Sequence, residues 1–438
     1  MANITDVLTN GQPLKQNQKD NTTTNDTKKA LATKHIRVGD DYFKMIETPD
    51  KDGKTYQILV PRGRQTVKDD VGSFYNEILK YEGFCNVPSH INYQKEIARH
   101  YNQYKEVNHK PEQGSFESIK NLLNHLFKSH YDFILDYLQI LYLKPTQRLP
   151  IILLESKERN TGKSTFGNLI QYIFQENAIK VGNSEMSSDF NAIWGTRLLV
   201  VVDEASLNND LLMEMIKRYS TENGKVTINE KGKKQFQVDY FGKFIFISNQ
   251  EGKALHIGKG ENRFAVFKVP TLKESNLTDD PEIEAKIKAE IPAFLHFLSK
   301  RELKHKESVS RMHFPFEAYK TAQLELYYRN SVSNLAKAVL GFVLDTFSVY
   351  QDEAVLRFSA SDLLNELINS KRVKGSTTTI NLKNVIESEL GLTLNKRGRY
   401  YMRSIYQYEL GNSNEHFKGD ERNNTYYTFE KSAFGVLE

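Results

Sequence analysis

Three short clusters carry residues whose types and spacing suit phosphate chemistry. The first is ESKERNTGKSTF (155–166), in which Asn160, Thr161, Gly162, Lys163, Ser164 and Thr165 follow the apolar run IILLE. A strand, a loop and a helix opening on Gly-Lys-Ser form a phosphate cradle: free N–H groups at the helix start face the anion and the helix dipole adds to the attraction. Lys163 is placed to neutralise β- and γ-phosphates, and the Ser164 hydroxyl to ligate Mg²⁺. Lys157 stands where such loops commonly carry their first glycine. The second cluster is LLVVVDEA, which places Asp203 and Glu204 at a strand end 40 residues beyond Lys163 (203 − 163). An aspartate there can hold Mg²⁺ through its water shell, and a neighbouring glutamate can polarise an attacking water. The third cluster, KFIFISNQ, ends in Asn249, suited to hold that water. A fourth element, GENRFAVFKV, puts Arg263 directly before another apolar strand. It is either a surface arginine or one that reaches a neighbouring subunit's γ-phosphate.

The elements that must position these residues are legible in the pattern of apolar residues. IILLE, LLVVVDE and KFIFISN are almost wholly apolar runs ending in polar residues, as buried strands of a mostly parallel sheet read. Helical patterns lie between them near 163–175 and 208–220, which indicates an α/β layer covered on both faces. Residues 1–34 are rich in Asn, Thr, Lys and Asp and are expected to be disordered. A small β-rich piece follows at 35–69, with KDGK as its hairpin turn. Residues 70–149 read as a helical domain: Phe116, Ile119, Leu122, Leu123 and Leu126 recur at helical steps. The ATPase-like domain spans 150–300, a helical linker 301–332, and a small α+β unit 333–438.

Composition sets outer bounds. Apolar residues at 39% and charged residues at 26% fit a globular protein, and no run approaches the ~18 apolar residues of a membrane span. FILDYLQILYL (133–143) is short and interrupted by Asp136, hence a buried helix. The N-terminus lacks the pattern of a secretory signal. One cysteine, Cys85, excludes an internal disulfide and a Cys-based zinc site. An intracellular protein is the expectation. Lys plus Arg exceed Asp plus Glu by only 60 to 55, so the distribution of charge matters more than its sum.

Two basic clusters could meet nucleic acid. NEKGKK, between alternating strand patterns, reads as a hairpin tip carrying Lys231, Lys233 and Lys234. The same lysines also suit an ordinary solvated loop. Near the C-terminus, NKRGRYYMRSIYQYEL sets Lys396, Arg397, Arg399 and Arg403 among Tyr400 and Tyr401, mixing phosphate-binding charge with aromatic faces. A charged hairpin packed on its own helices would read alike.

In their order, ESKERNTGKST, LLVVVDEA, the segment KVTINEKGKKQFQVDYFGKFIFISNQ and ENRFAVF resemble the superfamily 3 helicases, and more closely the phage, plasmid and poxvirus primase-associated helicases. The likeness covers roughly 70–300. It implies an AAA+-like P-loop core after a helical, collar-like domain and before a winged-helix-like unit. It further implies ATP and Mg²⁺ as ligands, a homo-hexameric ring, and 3′ to 5′ movement on single-stranded DNA with unwinding of forked duplex. Carried onto this chain, Lys163 and Ser164 serve phosphate and metal, and Asp203 and Glu204 metal and water. Asn249 becomes a sensor and Arg263 a finger acting in trans, with the lysine hairpin gripping the DNA backbone in the pore. Lys157 departs from the family's leading glycine, and Arg263 lacks the doubled arginine of some relatives. No primase motif precedes the core, so a separate primase or polymerase is expected. The likeness points to a phage or mobile element inside a host cell. The competing readings are a P-loop switch that controls DNA binding or replisome assembly without processive unwinding, and a DNA-packaging motor.

Overall fold

The computed structural model describes residues 18–49, 55–206, 210–221, 224–231, 235–405 and 420–434. The N-terminal region holds α1 (Gln18–Thr33), β1 (His35–Val38), β2 (Asp41–Pro49), β3 (Thr55–Arg62), α2 (Arg64–Val71) and β4 (Leu79–Tyr81). Three short strands follow, β5 (Gly83–Cys85), β6 (Glu96–Ile97) and β7 (His100–Asn102). Two expectations need correction here. Residues 18–33, read as disordered, form a helix, and residues 1–17 lie outside the described residues. Ala32 and Leu31 at its end close over Val67, Val71 and Ile78, and this packing supplies what a polar sequence lacks for helix formation. The stretch from 70 to 116 is not a helical domain either. Tyr81, Phe84 and Tyr101 share a small core with Ile36 and Val38, and aromatic residues of this kind favour pleated strands. The KDGK turn lies outside the described residues, and β2 and β3 on either side of it pair antiparallel with Met45 opposite Leu59.

After the short strands the chain turns helical again at α3 (Glu117–Phe127) and α4 (Tyr131–Leu143). The apolar face of α3 buries Ile119, Leu122, Leu123 and Leu126, the residues whose helical spacing the sequence displays. On α4 the fully buried Asp136 binds Arg301 at 2.6 Å and accepts from the backbone and ring nitrogens of His305.

The central unit runs through β8 (Ile151–Glu155), α5 (Lys163–Phe174), β9 (Ala178–Val181), α6 (Asn183–Met186) and β10 (Leu199–Val202). It continues with α7 (Asp210–Thr221), β11 (Lys225–Ile228), β12 (Phe236–Asp239), β13 (Lys243–Ser248), β14 (Phe264–Lys268), α8 (Ile283–Lys300) and α9 (Ala322–Asn330). Five strands form one sheet in the order β14-β8-β13-β10-β9, every neighbouring pair parallel. β8, β10 and β13 are buried along their whole length, as their unbroken apolar runs predict. One face of the sheet carries α3, α4, α5 and α8, and the other carries α7, α9 and the β11–β12 hairpin. The chain leaves β8 for the far edge at β9 and later passes β8 to reach β14. Such a reversal opens a crevice at the carboxyl ends of the strands, where α/β sheets bind ligands.

Residues 301–332, expected as a helical linker, instead include α9 as part of the core. Leu324, Tyr327 and Tyr328 of α9 pack among the buried residues of that face, and α9 contacts β14. Its Tyr327 hydroxyl and Gln323 amide both bind the buried Glu155 carboxylate at the end of β8. Burial pushes the Glu155 carboxyl up, against the lowering effect of these donors.

The C-terminal unit comprises α10 (Asn334–Val349), β15 (Val355–Phe358), α11 (Ala360–Asn369), α12 (Thr379–Ser388), β16 (Asn395–Tyr401) and β17 (Glu421–Glu430). Its three helices close on an antiparallel sheet, β15-β17-β16, around a core of its own. Among the described residues no single helix is long and apolar enough to cross a membrane.

Candidate functional site

A cavity of ≈ 1100 Å³ opens at the carboxyl ends of the central strands. The loop residues Asn160 to Thr165 line it together with Asp203, Glu204 and Asn249, so residues spread over ninety positions meet in one place. The loop has its special backbone at Asn160 (φ 54°) and Gly162 (φ 83°), not at Lys157. Lys157 is exposed, which is why a long side chain is tolerated where glycine is common. Gly162 is demanding on two counts: its left-handed conformation, and Leu122, whose Cδ1 would lie 3.2 Å from an added Cβ. It caps α5 without any side-chain hydrogen bond, leaving the first N–H groups of the helix to another acceptor.

Lys163 is buried, and its ammonium donates to the Glu158 carbonyl at 3.1 Å and the Thr161 hydroxyl at 2.9 Å. Both acceptors are neutral. Burial lowers the pKa of Lys163, while the fields of Asp203 and Glu155 oppose that shift. A buried cation held only by neutral oxygens is stabilised by an arriving anion. Together with the uncapped helix start, this makes the loop fit a polyphosphate. Ser164 is exposed beside it, free to meet a ligand's cation.

His125 of α3 is a residue that local sequence reading misses. Its Nε2 meets the Thr161 carbonyl at 3.0 Å and its Nδ1 the Ser275 hydroxyl at 2.7 Å, so the helical region braces the loop directly. Burial lowers its pKa, against the raising effect of the Thr161 carbonyl.

Asp203 and Glu204 follow β10 in a tight turn. Glu204 adopts a left-handed backbone (φ 55°), uncommon for a residue with a side chain. Asn183 fixes that turn: its amide donates to the Glu204 carbonyl at 3.0 Å and its oxygen accepts from Ser206 N–H at 3.1 Å. The end of β13 is tied to the same turn. Ala205 N–H donates to Ile247 O at 2.7 Å, and the Ser248 hydroxyl donates to Ala205 O at 2.7 Å. Asn249, the next residue, thereby lines the same cavity as the acidic pair. Lys180 also lines the cavity and binds Asp203 at 3.1 Å, a second contact that no sequence motif reveals.

Arg263 is not brought to this cavity. Its Nη1 donates to Glu261 at 2.8 Å, and it lines a separate hollow of ≈ 450 Å³ beside Lys217 and Arg218 of α7. Of the four candidate catalytic residues, Lys163, Glu204 and Asn249 share one cavity and Arg263 does not.

The basic clusters divide in the same way. β11 and β12 form an antiparallel hairpin with Val226 opposite Val238. Lys231 is exposed at its tip, and Lys233 and Lys234 lie outside the described residues. At the tip end of the hairpin, where Phe236 pairs with Ile228, the Phe236 ring packs on Phe84 of β5, ring centroids 5.7 Å apart. On β16, Lys396, Arg397 and Arg399 are exposed. Tyr400 is not an aromatic platform there: it is buried, and its hydroxyl donates to Asp362 at 2.9 Å. Arg403 is likewise structural, donating to Glu353 at 3.0 Å from a largely buried position. Tyr401 remains exposed. Alternation along the strand sends Tyr400 and Tyr401 to opposite faces, and only one of them faces solvent.

A family of unknown function (DUF5906) matches residues 154–263, from the end of β8 to Arg263. No curated protein matches the chain. A JCV helicase solved with a small molecule is 10% identical at a TM-score of 0.31, over 53% of this chain and 62% of that one, too slight a likeness to argue from. The apo structure of the NrS-1 C-terminal region (305–718) is 17% identical with a TM-score of 0.57, covering 93% of this chain and 99% of that one. The A form of the same region gives 17% and 0.59, over 89% of this chain and 94% of that one. At this identity the likeness to the NrS-1 region is one of fold, and it runs nearly the whole length of both chains.

Proposed function

We propose that the protein is an ATP-hydrolysing DNA helicase of superfamily 3 type that acts as a homo-hexameric ring. The observation that carries this reading is the convergence of a buried, anion-seeking Lys163, the acidic pair Asp203 and Glu204, and Asn249 around one cavity. In this reading the loop N–H groups and Lys163 hold the β- and γ-phosphates of ATP, and Gly162 gives the backbone its close approach. Ser164 and Asp203 would hold Mg²⁺, which supplies charge neutralisation of the phosphates when bound. Glu204 accepts the proton of the attacking water, and its fixed left-handed turn keeps the carboxylate at the cavity edge. Asn249 orients that water.

Arg263 lies outside its own protomer's cavity, which favours service to a neighbour's γ-phosphate over service in cis. The β11–β12 hairpin, with Lys231 at its exposed tip, would grip a single-stranded DNA backbone in the ring's pore; lysine neutralises phosphate without reading sequence. Lys396, Arg397 and Arg399 on the C-terminal unit form a second DNA contact, flanking the fork. Priming and synthesis are assigned to a separate primase or polymerase.

The test is the steady-state ATPase rate with and without single-stranded DNA, with Lys163→Ala as the blank. Strong, length-dependent stimulation is expected, followed by unwinding of a forked duplex. A rate indifferent to DNA would overturn the motor in favour of a nucleotide-controlled switch.

A further inference from the structure

We propose that Lys180 competes with the divalent cation for Asp203, and so is a positioning residue that weakens metal binding at the site; this rests on the metal role given to Asp203 above. β9 and β10 pair in parallel with Lys180 opposite Val201 and Val181 opposite Val202, and Asp203 N–H continues the ladder by donating to Val181 O at 3.2 Å. That register brings the Lys180 ammonium to Asp203 Oδ2 at 3.1 Å. The ammonium is steadied from α5 by Asn168 Oδ1, also at 3.1 Å. The second Asp203 oxygen, Oδ1, accepts the Glu204 N–H at 3.1 Å. Both oxygens of Asp203 are therefore engaged within the protein.

A hydrated divalent cation needs the Asp203 oxygens to accept from its water shell, and there it meets two obstacles. The ammonium occupies one carboxylate oxygen, and its positive charge opposes the ion's own. The pair is only partly hydrated, with side chains 26% and 30% exposed, so the opposition is less screened than in bulk water. Oδ1 keeps a lone pair beside the Glu204 N–H, which can therefore stay in place. The cheaper exchange is displacement of the Lys180 ammonium, for which the open cavity leaves room. Lys180 thus keeps Asp203 neutralised and oriented until the ion arrives, and lowers the ion's net affinity. Lys163 does not share this role, because its ammonium is bound to neutral oxygens of the loop.

The experiment is Mn²⁺ titration followed by electron paramagnetic resonance, on the full chain saturated with a non-hydrolysable ATP analogue. Lys180→Met and Lys180→Gln are expected to bind Mn²⁺ roughly three- to tenfold more tightly than the parent, the scale of one nearby partly screened charge. Lys180→Arg should match the parent, and adding Asp203→Asn should erase the gain. The agreement of the apolar and polar replacements guards against a folding artefact in either one. Unchanged or weaker Mn²⁺ binding in both neutral variants overturns the proposal, as does absence of Mn²⁺ binding to the parent. Because no turnover is needed, tighter Mn²⁺ binding in a protein without ATPase activity would sink the helicase reading alone.

Discussion

Arg263 donates to Glu261 at 2.8 Å, and neither residue lines the cavity that contains Lys163. Glu261 also accepts the Arg263 backbone N–H at 3.0 Å, and the Lys217 ammonium lies 3.8 Å from the same carboxylate, so Arg263 is held beside α7, away from that cavity. Under the proposed reading, an arginine in that position would serve the γ-phosphate of a neighbouring subunit. Arg263→Ala and Glu204→Gln should each lose at least ~10³ in ATPase rate when assayed alone, the scale of an arginine finger or a lost water-activating group. Mixing the two proteins should restore measurable turnover, because some boundaries then pair an intact Arg263 with an intact Glu204. Mixed rings as inactive as the parents would count against action in trans.

The loop should respond to substitution according to its backbone. Gly162→Ala forces a side chain into a left-handed conformation at 3.2 Å from Leu122, a strain of about 1–2 kcal/mol before repacking. Nucleotide affinity should fall accordingly, by roughly five- to thirtyfold. Lys157→Ala, at an exposed position with ordinary backbone, should change affinity less than twofold. Isothermal titration with ATP analogues separates the two, and equal losses would refute the account of why Lys157 is tolerated.

Asp136 makes the stability of the chain acid-sensitive. Burial alone would raise its carboxyl, but donors from His305, Arg301 and Lys304 outweigh burial and hold it below the usual carboxylate range. A depressed folded value means the stabilisation is present above the unfolded pKa, about 3.9, and is lost as pH falls through the folded value. Asp136→Asn should therefore cost about 3 kcal/mol at neutral pH, as expected for a broken buried ion pair. The difference from the parent should shrink below about pH 4 in urea unfolding curves. A constant difference across that range would argue against a charged Asp136.

Among the basic residues, exposure predicts effect. Lys231→Ala and Arg397→Ala should weaken single-stranded DNA binding, each reducing the salt slope by ~0.7. Arg403→Ala should leave the slope unchanged and lower thermal stability instead, because its guanidinium is spent on Glu353. Fluorescence anisotropy at several salt concentrations distinguishes these outcomes.

Much of the core was legible in the chain because its signals are local. A buried parallel strand must be apolar along its whole length, so IILLE, LLVVV and KFIFIS announce themselves without reference to partners. A loop that turns into a helix around a phosphate needs a left-handed glycine, and Gly162 occupies that position. Other features had no local signature. The polar segment 18–33 is helical because α2 and the chain after it cover Ala32, and Tyr400 is interior because β16 lies on its helices. Lys180 meets Asp203 through the register of two strands, and His125 braces Thr161 from a helix that precedes the core. Sequence alone determined which segments must be strands and where the left-handed turn into α5 falls, since both follow from backbone geometry and local solvation. The tertiary structure decided which side chains share a cavity and which are spent on packing, since that depends on surfaces contributed by residues far away in the chain.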